Sequence, residues 1–265
     1  MLFVDLLGFA KLTEENPLDL EAIKQSQIPL SGMIDQLLAA NRNPLTRVFT
    51  SFHHTLKSAI ELAQMKHNLT AITFSDSAFI ATTNLFECVS VATYILQALL
   101  RARVPARAAI AYGSFSAVRF RSDIFVGGGD HSAHFLGTGV VRSHAAESCG
   151  IKGLRILLHP SAVALLDNQD HVPSHDEKIS YVACSPGESA NAQRVQFEID
   201  YWQFKPTAES EAWHALQDMW SAAPQTALPH YEATAQAINR MRVSQGEQPL
   251  LNLRRRTLSR RKMEV

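Results

Sequence analysis

The chain has 265 residues, 46% of them hydrophobic, which suits one large domain or a domain with a helical extension. Twenty-five Lys and Arg balance twenty-five Asp and Glu, and a formal net charge of zero points away from a general nucleic-acid binder. The three cysteines, Cys88, Cys149 and Cys184, are far apart and show no CxxC or Cys/His spacing, so the plain reading is reduced thiols in a cytosolic protein, with no zinc site.

No apolar run reaches the roughly 18 residues that span a bilayer. The N-terminus has neither the basic region nor the cleavage site of a signal peptide. The chain starts almost directly in a strand, so Met1 is expected to lie inside the natural reading frame.

Residues 2–6 read as a short buried strand ended by Gly8. Residues 18–40 and 45–66 have helical spacing, and in the second Val48, Phe52, Leu56, Ala59 and Ala63 share one face. Residues 70–75 and 77–83 read as a hairpin around Ser75-Asp76-Ser77. Residues 85–102 form an apolar helix that ends near Arg101 and Arg103 and is stopped by Pro105. A long strand is predicted over 107–119 with a break at Gly113. A flexible glycine loop, Gly127-Gly128-Gly129-Asp130, leads into a helix over 131–148. A strand at 154–159, a short helix from Pro160 to Asp167 and a polar, loop-like stretch over 168–190 follow. A strand within 192–204 carries Tyr201 and Trp202, and helices over 208–221 and 229–244 complete the ordered part. The order predicts an α/β (α+β) sandwich, one mixed sheet with helices packed against it. The expected organisation is a domain over 1–204, a helical extension over 205–250 and a basic tail over 251–265. That tail reads as a solvated, frayed terminus, with contact to nucleic acid or an anionic surface as the alternative.

The chemistry concentrates at two aspartates. In Phe3-Val4-Asp5-Leu6-Leu7-Gly8-Phe9 and in Ile72-Thr73-Phe74-Ser75-Asp76-Ser77, an apolar run delivers one Asp to a strand end. A lone Asp there is most often a turn or cap residue. Two of them, brought together, would repel unless a divalent cation lay between. Hard cations such as Mg²⁺ or Mn²⁺ use one or two such carboxylates and complete their shells with substrate phosphates. Gly8 would let the backbone N–H groups of Leu7, Gly8 and Phe9 approach phosphate oxygens. Arg107 and Arg142 are the cations expected to face a triphosphate, with a surface salt bridge as the alternative for each. Gly127–Gly129 lacks the GxxxxGK[ST] pattern of a P-loop. No HExxH or GxSxG is present, so zinc hydrolysis and a serine triad lack support.

In order, these landmarks resemble the class III nucleotidyl cyclases. Phe3, Asp5, Gly8 and Phe9 match a first-strand motif of Phe-x-Asp-x-x-Gly-Phe type. Phe74-Ser75-Asp76-Ser77 matches a metal aspartate in a hairpin turn. Arg107, Ile110 and Gly113 match a strand of Arg-x-x-Ile-x-x-Gly type, and Gly137 to Glu147 matches a helix that begins with Gly and ends in Glu. The match covers residues 1–160. The Asn and Arg that such enzymes place one turn apart on that helix are replaced here by Val141 and Ala145. The purine-reading Lys and Asp would fall near Ile72 and His134. Within the family, the chain resembles the Pycsar antiphage pyrimidine cyclases.

The resemblance implies a cytoplasmic homodimer with active sites at the subunit interface, two Mn²⁺ or Mg²⁺ per active site, and UTP or CTP as substrate. It implies metal ligation by Asp5, Asp76 and the Leu6 carbonyl, and transition-state support from Arg142 or Arg107. The cyclic product would act on a separate effector, with no membrane and no nucleic acid involved. UTP is favoured on family likeness alone, with a cytidylate or purine cyclase as the alternative. A degenerate, nucleotide-binding sensor domain is the alternative from another class. A polymerase-like enzyme would share the aspartate pair but not the glycine-to-glutamate helix.

Overall fold

The computed structural model describes residues 1–17, 43–64, 69–121, 131–166, 179–185, 195–250 and 253. Seven strands form one sheet in the order β2-β3-β1-β4-β7-β9-β8. They are β1 (Leu2–Leu6), β2 (Leu69–Thr73), β3 (Ser77–Thr82), β4 (Ala106–Ile110), β7 (Ile156–Leu158), β8 (Tyr181–Ala183) and β9 (Phe197–Ile199). Every neighbouring pair is antiparallel except β4 and β7. A separate hairpin joins β5 (Ser116–Arg121) to β6 (His131–Leu136). The fold is therefore mixed α+β, a mostly antiparallel sheet flanked by helices.

Strand alternation divides the core in two. Leu2, Val4 and Leu6 of β1 join Ala78, Ile80, Ala108, Ile110, Ile156 and Leu158 on one face. That face is covered by α2 (Pro44–Gln64) and α3 (Leu85–Arg101). On α2, Val48, Phe52, Leu56 and Ala59 are buried at the predicted helical spacing, and Ala63 packs beside them. Each such large side chain contributes about 1.5–3 kcal/mol of transfer free energy. The Asn84 side chain caps α3 by accepting the Phe86 N–H at 2.8 Å. Helices α6 (Pro206–Ala222) and α7 (Leu228–Ser244) bury Trp213, Leu216, Ile238 and Met241 in this same cluster. Leu253 packs against it too.

Met1 and Phe3 lie on the other face, packed with Phe79, Phe115, Phe135 and Val140. Val140 belongs to α4 (Thr138–Glu147), whose Ala146 packs on Ala109 and Leu157 of the same face. A short helix, α5 (Pro160–Leu166), follows β7, and α1 (Phe9–Glu15) follows β1.

Three sequence expectations are corrected. The helix over 131–148 is the strand β6 followed by α4, with Gly137 at a positive φ of 144° between them. His131 and His134 therefore belong to a strand, and the helix starts only at Thr138. The polar stretch over 168–190 contains β8, which pairs with β9. Among the described residues of the 192–204 segment, strand spans Phe197–Ile199, and Tyr201 and Trp202 lie just past its end. The break at Gly113 is present and separates β4 and β5 into different sheets. The helix expected over 18–40 and the loop Gly127–Gly129 lie outside the described residues, as does nearly all of the basic tail.

The crossing of β4 and α4 explains both landmark glycines. A Cβ on Gly113 would meet the Gly139 nitrogen at 2.5 Å, and one on Gly137 would meet the Ser114 carbonyl oxygen at 2.1 Å. The contact is closed by Gly139 N–H donating to the Ser114 carbonyl at 3.0 Å and by Ser114 N–H donating to Thr138 Oγ1 at 3.0 Å. Glycine is needed here for close approach, and it docks the start of α4 at the Met1 end of the sheet, from which the helix runs to Glu147 beside Arg107.

Candidate active site

Asp5 stands at the penultimate position of β1, on the face it shares with Met1 and Phe3. Its antiparallel partners are Ser77 on β3 and Arg107 on β4. Asp76 belongs to the tight turn between β2 and β3, where Phe74 N–H donates to the Ser77 carbonyl at 2.7 Å. The turn is tied to β1 because Leu6 N–H donates to the Asp76 carbonyl at 2.9 Å. Ser75 Oγ donates to Asp76 Oδ1 at 3.3 Å, and His53 of α2 donates from Nε2 to the Ser75 carbonyl at 3.2 Å. The two half-buried aspartates, 71 residues apart in sequence (76 − 5), are thus held side by side by backbone bonds.

The electrostatics reflect that proximity. Burial, then the charges of Glu147 and Asp76, push the Asp5 carboxyl from its ordinary 3.8 to about 7, against a smaller lowering by Arg107. A carboxyl that resists ionisation through burial, with anionic neighbours adding to it, is suited to a cation. Among the described residues, no group of three or more His, Cys, Asp and Glu is arranged to hold a metal ion. Two carboxylates with a backbone carbonyl fit a hard cation that takes its remaining oxygens from phosphate and water.

Arg107 does not point into open space. Its Nε donates to Glu147 Oε1 at 2.6 Å, its Nη2 pairs with the same oxygen, and its Nη1 donates to the Ile151 carbonyl at 2.8 Å. Of the two readings that the sequence left open for Arg107, the salt bridge describes its bonds, and it is largely buried. Arg142, half-buried on α4, donates from Nη1 to the Tyr112 carbonyl at 3.0 Å. Gly8 takes φ 77°, the left-handed region, and begins α1. Leu7 N–H donates to the Pro105 carbonyl at 2.9 Å, so this group is engaged in holding β1 to the β4 entry rather than turned to a phosphate. Gly8 and Phe9 open α1, where backbone donors have no intrahelical acceptor.

Ile72 is a half-buried residue of β2 opposite Phe79, on the aspartate-bearing face. His134 pairs through its backbone register with Val118 in the β5–β6 hairpin. Val141 and Ala145 are exposed, Val141 at 68%.

No protein-family model and no curated protein matches the chain. Solved structures similar to it include the guanylyl cyclase Cya2, with 13% identity and a TM-score of 0.44 over 75% of this chain and 88% of that one. A bacterial light-regulated adenylyl cyclase gives 11% identity and 0.43, covering 82% of this chain and 55% of that one. Adenylate cyclases from Trypanosoma brucei, solved in their monomeric state, give 13% identity and 0.44 over 76% and 86% of the two chains.

Two parts of the site escaped the sequence reading. Glu147 served only as a motif landmark there, yet it is the buried counter-charge of Arg107. Its position as the last residue of α4 was visible, but its partner lies 40 residues earlier on another element. The second part is an aromatic cluster beside the aspartates. Phe3 and Phe79 stack at 4.5 Å, and Phe135 lies 5.3 Å from Phe79 and 6.0 Å from the partly exposed Phe74. The period-two placement of Phe3 and Asp5 on one strand face was the available signal.

Proposed function

We propose that the chain is a metal-dependent nucleotidyl cyclase that converts a nucleoside triphosphate to its 3′,5′-cyclic monophosphate and pyrophosphate. The observation that carries this reading is the pairing of Asp5 and Asp76 at adjoining strand ends, beside a left-handed glycine that opens a helix. Asp5 and Asp76, with the Leu6 carbonyl, would hold two Mn²⁺ or Mg²⁺ per active site. When bound, the cations neutralise triphosphate charge and lower the pKa of the ribose 3′-hydroxyl.

The chain's own residues position the reaction. The N–H groups of Gly8 and Phe9 would meet phosphate oxygens, whereas Arg142, bonded to the Tyr112 carbonyl beyond the other end of β4, would support the transition state by leaving that bond or by serving the partner subunit's site. The 3′-oxygen forms a bond to the α-phosphorus in line, the bond to the β-phosphate bridging oxygen breaks, and the 3′-proton leaves to solvent. Positioning and charge neutralisation are the protein's share.

The substrate is proposed to be a pyrimidine triphosphate, UTP before CTP, with the product serving as a second messenger to a separate effector in bacterial antiphage defence. What supports this is the hydrophobic Ile72 where purine cyclases carry a Lys. A homodimer with interface active sites is supported by the apolar side chains of Phe74, Leu136 and Val141, exposed at 41%, 62% and 68% on elements bordering the aromatic cluster. Among the described residues no helix is long and apolar enough to cross a membrane.

Exposed Val141 and Ala145, in place of an Asn–Arg pair, favour a second reading, a nucleotide-binding sensor domain without turnover. Incubation with each of the four NTPs and Mn²⁺, read by product mass, separates the two. A cyclic product that disappears in Asp76→Ala establishes the enzyme. Tight nucleotide binding with no product establishes the sensor.

A further inference from the structure

Arg107 is the direct cross-strand partner of Asp5. Such partners share a sheet face, with Cβ atoms about 4.5–5.5 Å apart. A guanidinium at that distance is the natural occupant of a carboxylate, and its bidentate pairing would neutralise Asp5. The structure shows a different arrangement. The Arg107 fork is spent on Glu147 through Nε and Nη2 and on the Ile151 carbonyl through Nη1. The Arg107 and Glu147 side chains are only 12% and 6% exposed, so solvent screens the pair little.

Glu147 is oddly placed for a helix. It is the last residue of α4, where the macrodipole disfavours an anion, and it is buried. Its location makes sense through Arg107. Asp5, Asp76 and Glu147 set three carboxyl groups against the single guanidinium of Arg107, an excess of acidic groups that suits a cation.

We infer that Glu147 is a positioning residue that holds the Arg107 guanidinium off Asp5 and so keeps both aspartates open to a divalent cation. The inference rests on the metal reading of the two aspartates given above.

The test is Mn²⁺ binding to the full chain without nucleotide, followed by electron paramagnetic resonance, with thermal unfolding in parallel. Wild type should bind Mn²⁺, and Asp76→Ala should not. Glu147→Gln, which keeps the side-chain shape, should bind about 10- to 100-fold more weakly. Arg107→Gln should bind at least as tightly as wild type. The double variant R107Q/E147Q should return to within about twofold of Arg107→Gln, because no guanidinium is left to restrain.

A merely structural Glu147 would lower the melting temperature and leave Mn²⁺ affinity at the wild-type value. That outcome, with Asp76→Ala still defective, overturns the inference and leaves the metal reading intact. A double variant as weak as Glu147→Gln also overturns it. Failure of wild type to bind Mn²⁺ through its aspartates ends both. If Glu147→Gln does not fold, R107Q/E147Q against Arg107→Gln carries the test, and any loss beyond about twofold overturns the inference.

Discussion

Leu6 donates its N–H to the carbonyl of Asp76 at 2.9 Å, and this bond fastens the hairpin turn to the strand end that carries Asp5. The side chains of both aspartates remain available, because the backbone does the holding. Their closeness is therefore imposed by the sheet and not by mutual attraction, which two carboxylates lack.

Replacing Asp76 with Ala should leave the fold intact, since the carbonyl that binds Leu6 is retained. Losing one of the two charged ligands should remove several kcal/mol of transition-state stabilisation, a drop of about a thousand-fold or more in turnover. Circular dichroism with product quantified by mass checks both halves. Near-normal turnover in a folded variant defeats the metal assignment.

The buried pair between Arg155 and Glu198 governs stability at the far side of the sheet. Arg155 donates from Nε to Oε2 at 2.5 Å and from Nη2 to Oε1 at 2.7 Å, and neither side chain is exposed. Arg240 of α7 donates to the same carboxylate at 3.0 Å. Glu198→Ala would strand a fully buried guanidinium and should destabilise by about 3–5 kcal/mol. Denaturant unfolding measures it, and a loss below about 1 kcal/mol would show that the pair is dispensable.

Much of the fold was legible because its elements are strongly patterned. The helical face of Val48, Phe52, Leu56 and Ala59 and the strand–turn–strand around Asp76 emerged at nearly the observed bounds. The 131–148 segment did not, since His131 to Leu136 carries no alternation clear enough to separate a hairpin strand from a helix start. Its strand character comes from pairing with β5, a tertiary fact. At the site, the two aspartates could be read because each closes an apolar run. Arg107 pointed to a phosphate only while its partner was unknown. The Arg107–Glu147 bond joins residues 40 apart, and no local pattern announces it.

Gly137 holds the start of α4 against Ser114 and Phe115 at φ 144°. Gly137→Ala puts a methyl 2.1 Å from the Ser114 carbonyl oxygen and strains the backbone as well. We expect a loss of more than about 1 kcal/mol in stability. We also expect a weakened Arg107–Glu147 pair as α4 shifts, visible as altered amide exchange in Ser143–Glu147. Wild-type stability in this variant would show that α4 is docked by other contacts.

The last prediction concerns pH. In the metal-free protein the Asp5 carboxyl is pushed up to about 7, mainly by burial, with Glu147 and Asp76 adding to it. In the unfolded chain it titrates at its ordinary 3.8. Between these values the folded state binds more protons than the unfolded one. The contribution of this group to stability is therefore fully present below 3.8 and is lost as pH rises through about 7. A bound divalent cation must displace that proton, so Mn²⁺ affinity should rise by up to about tenfold per pH unit across this window and level off above it. The two trends oppose each other: raising the pH should weaken the metal-free fold while tightening its hold on the cation. Melting curves with and without Mn²⁺ at several pH values should then diverge toward neutrality. Asp5→Asn removes the titrating group and should flatten both trends, and a divergence that persists in this variant would assign it to another group.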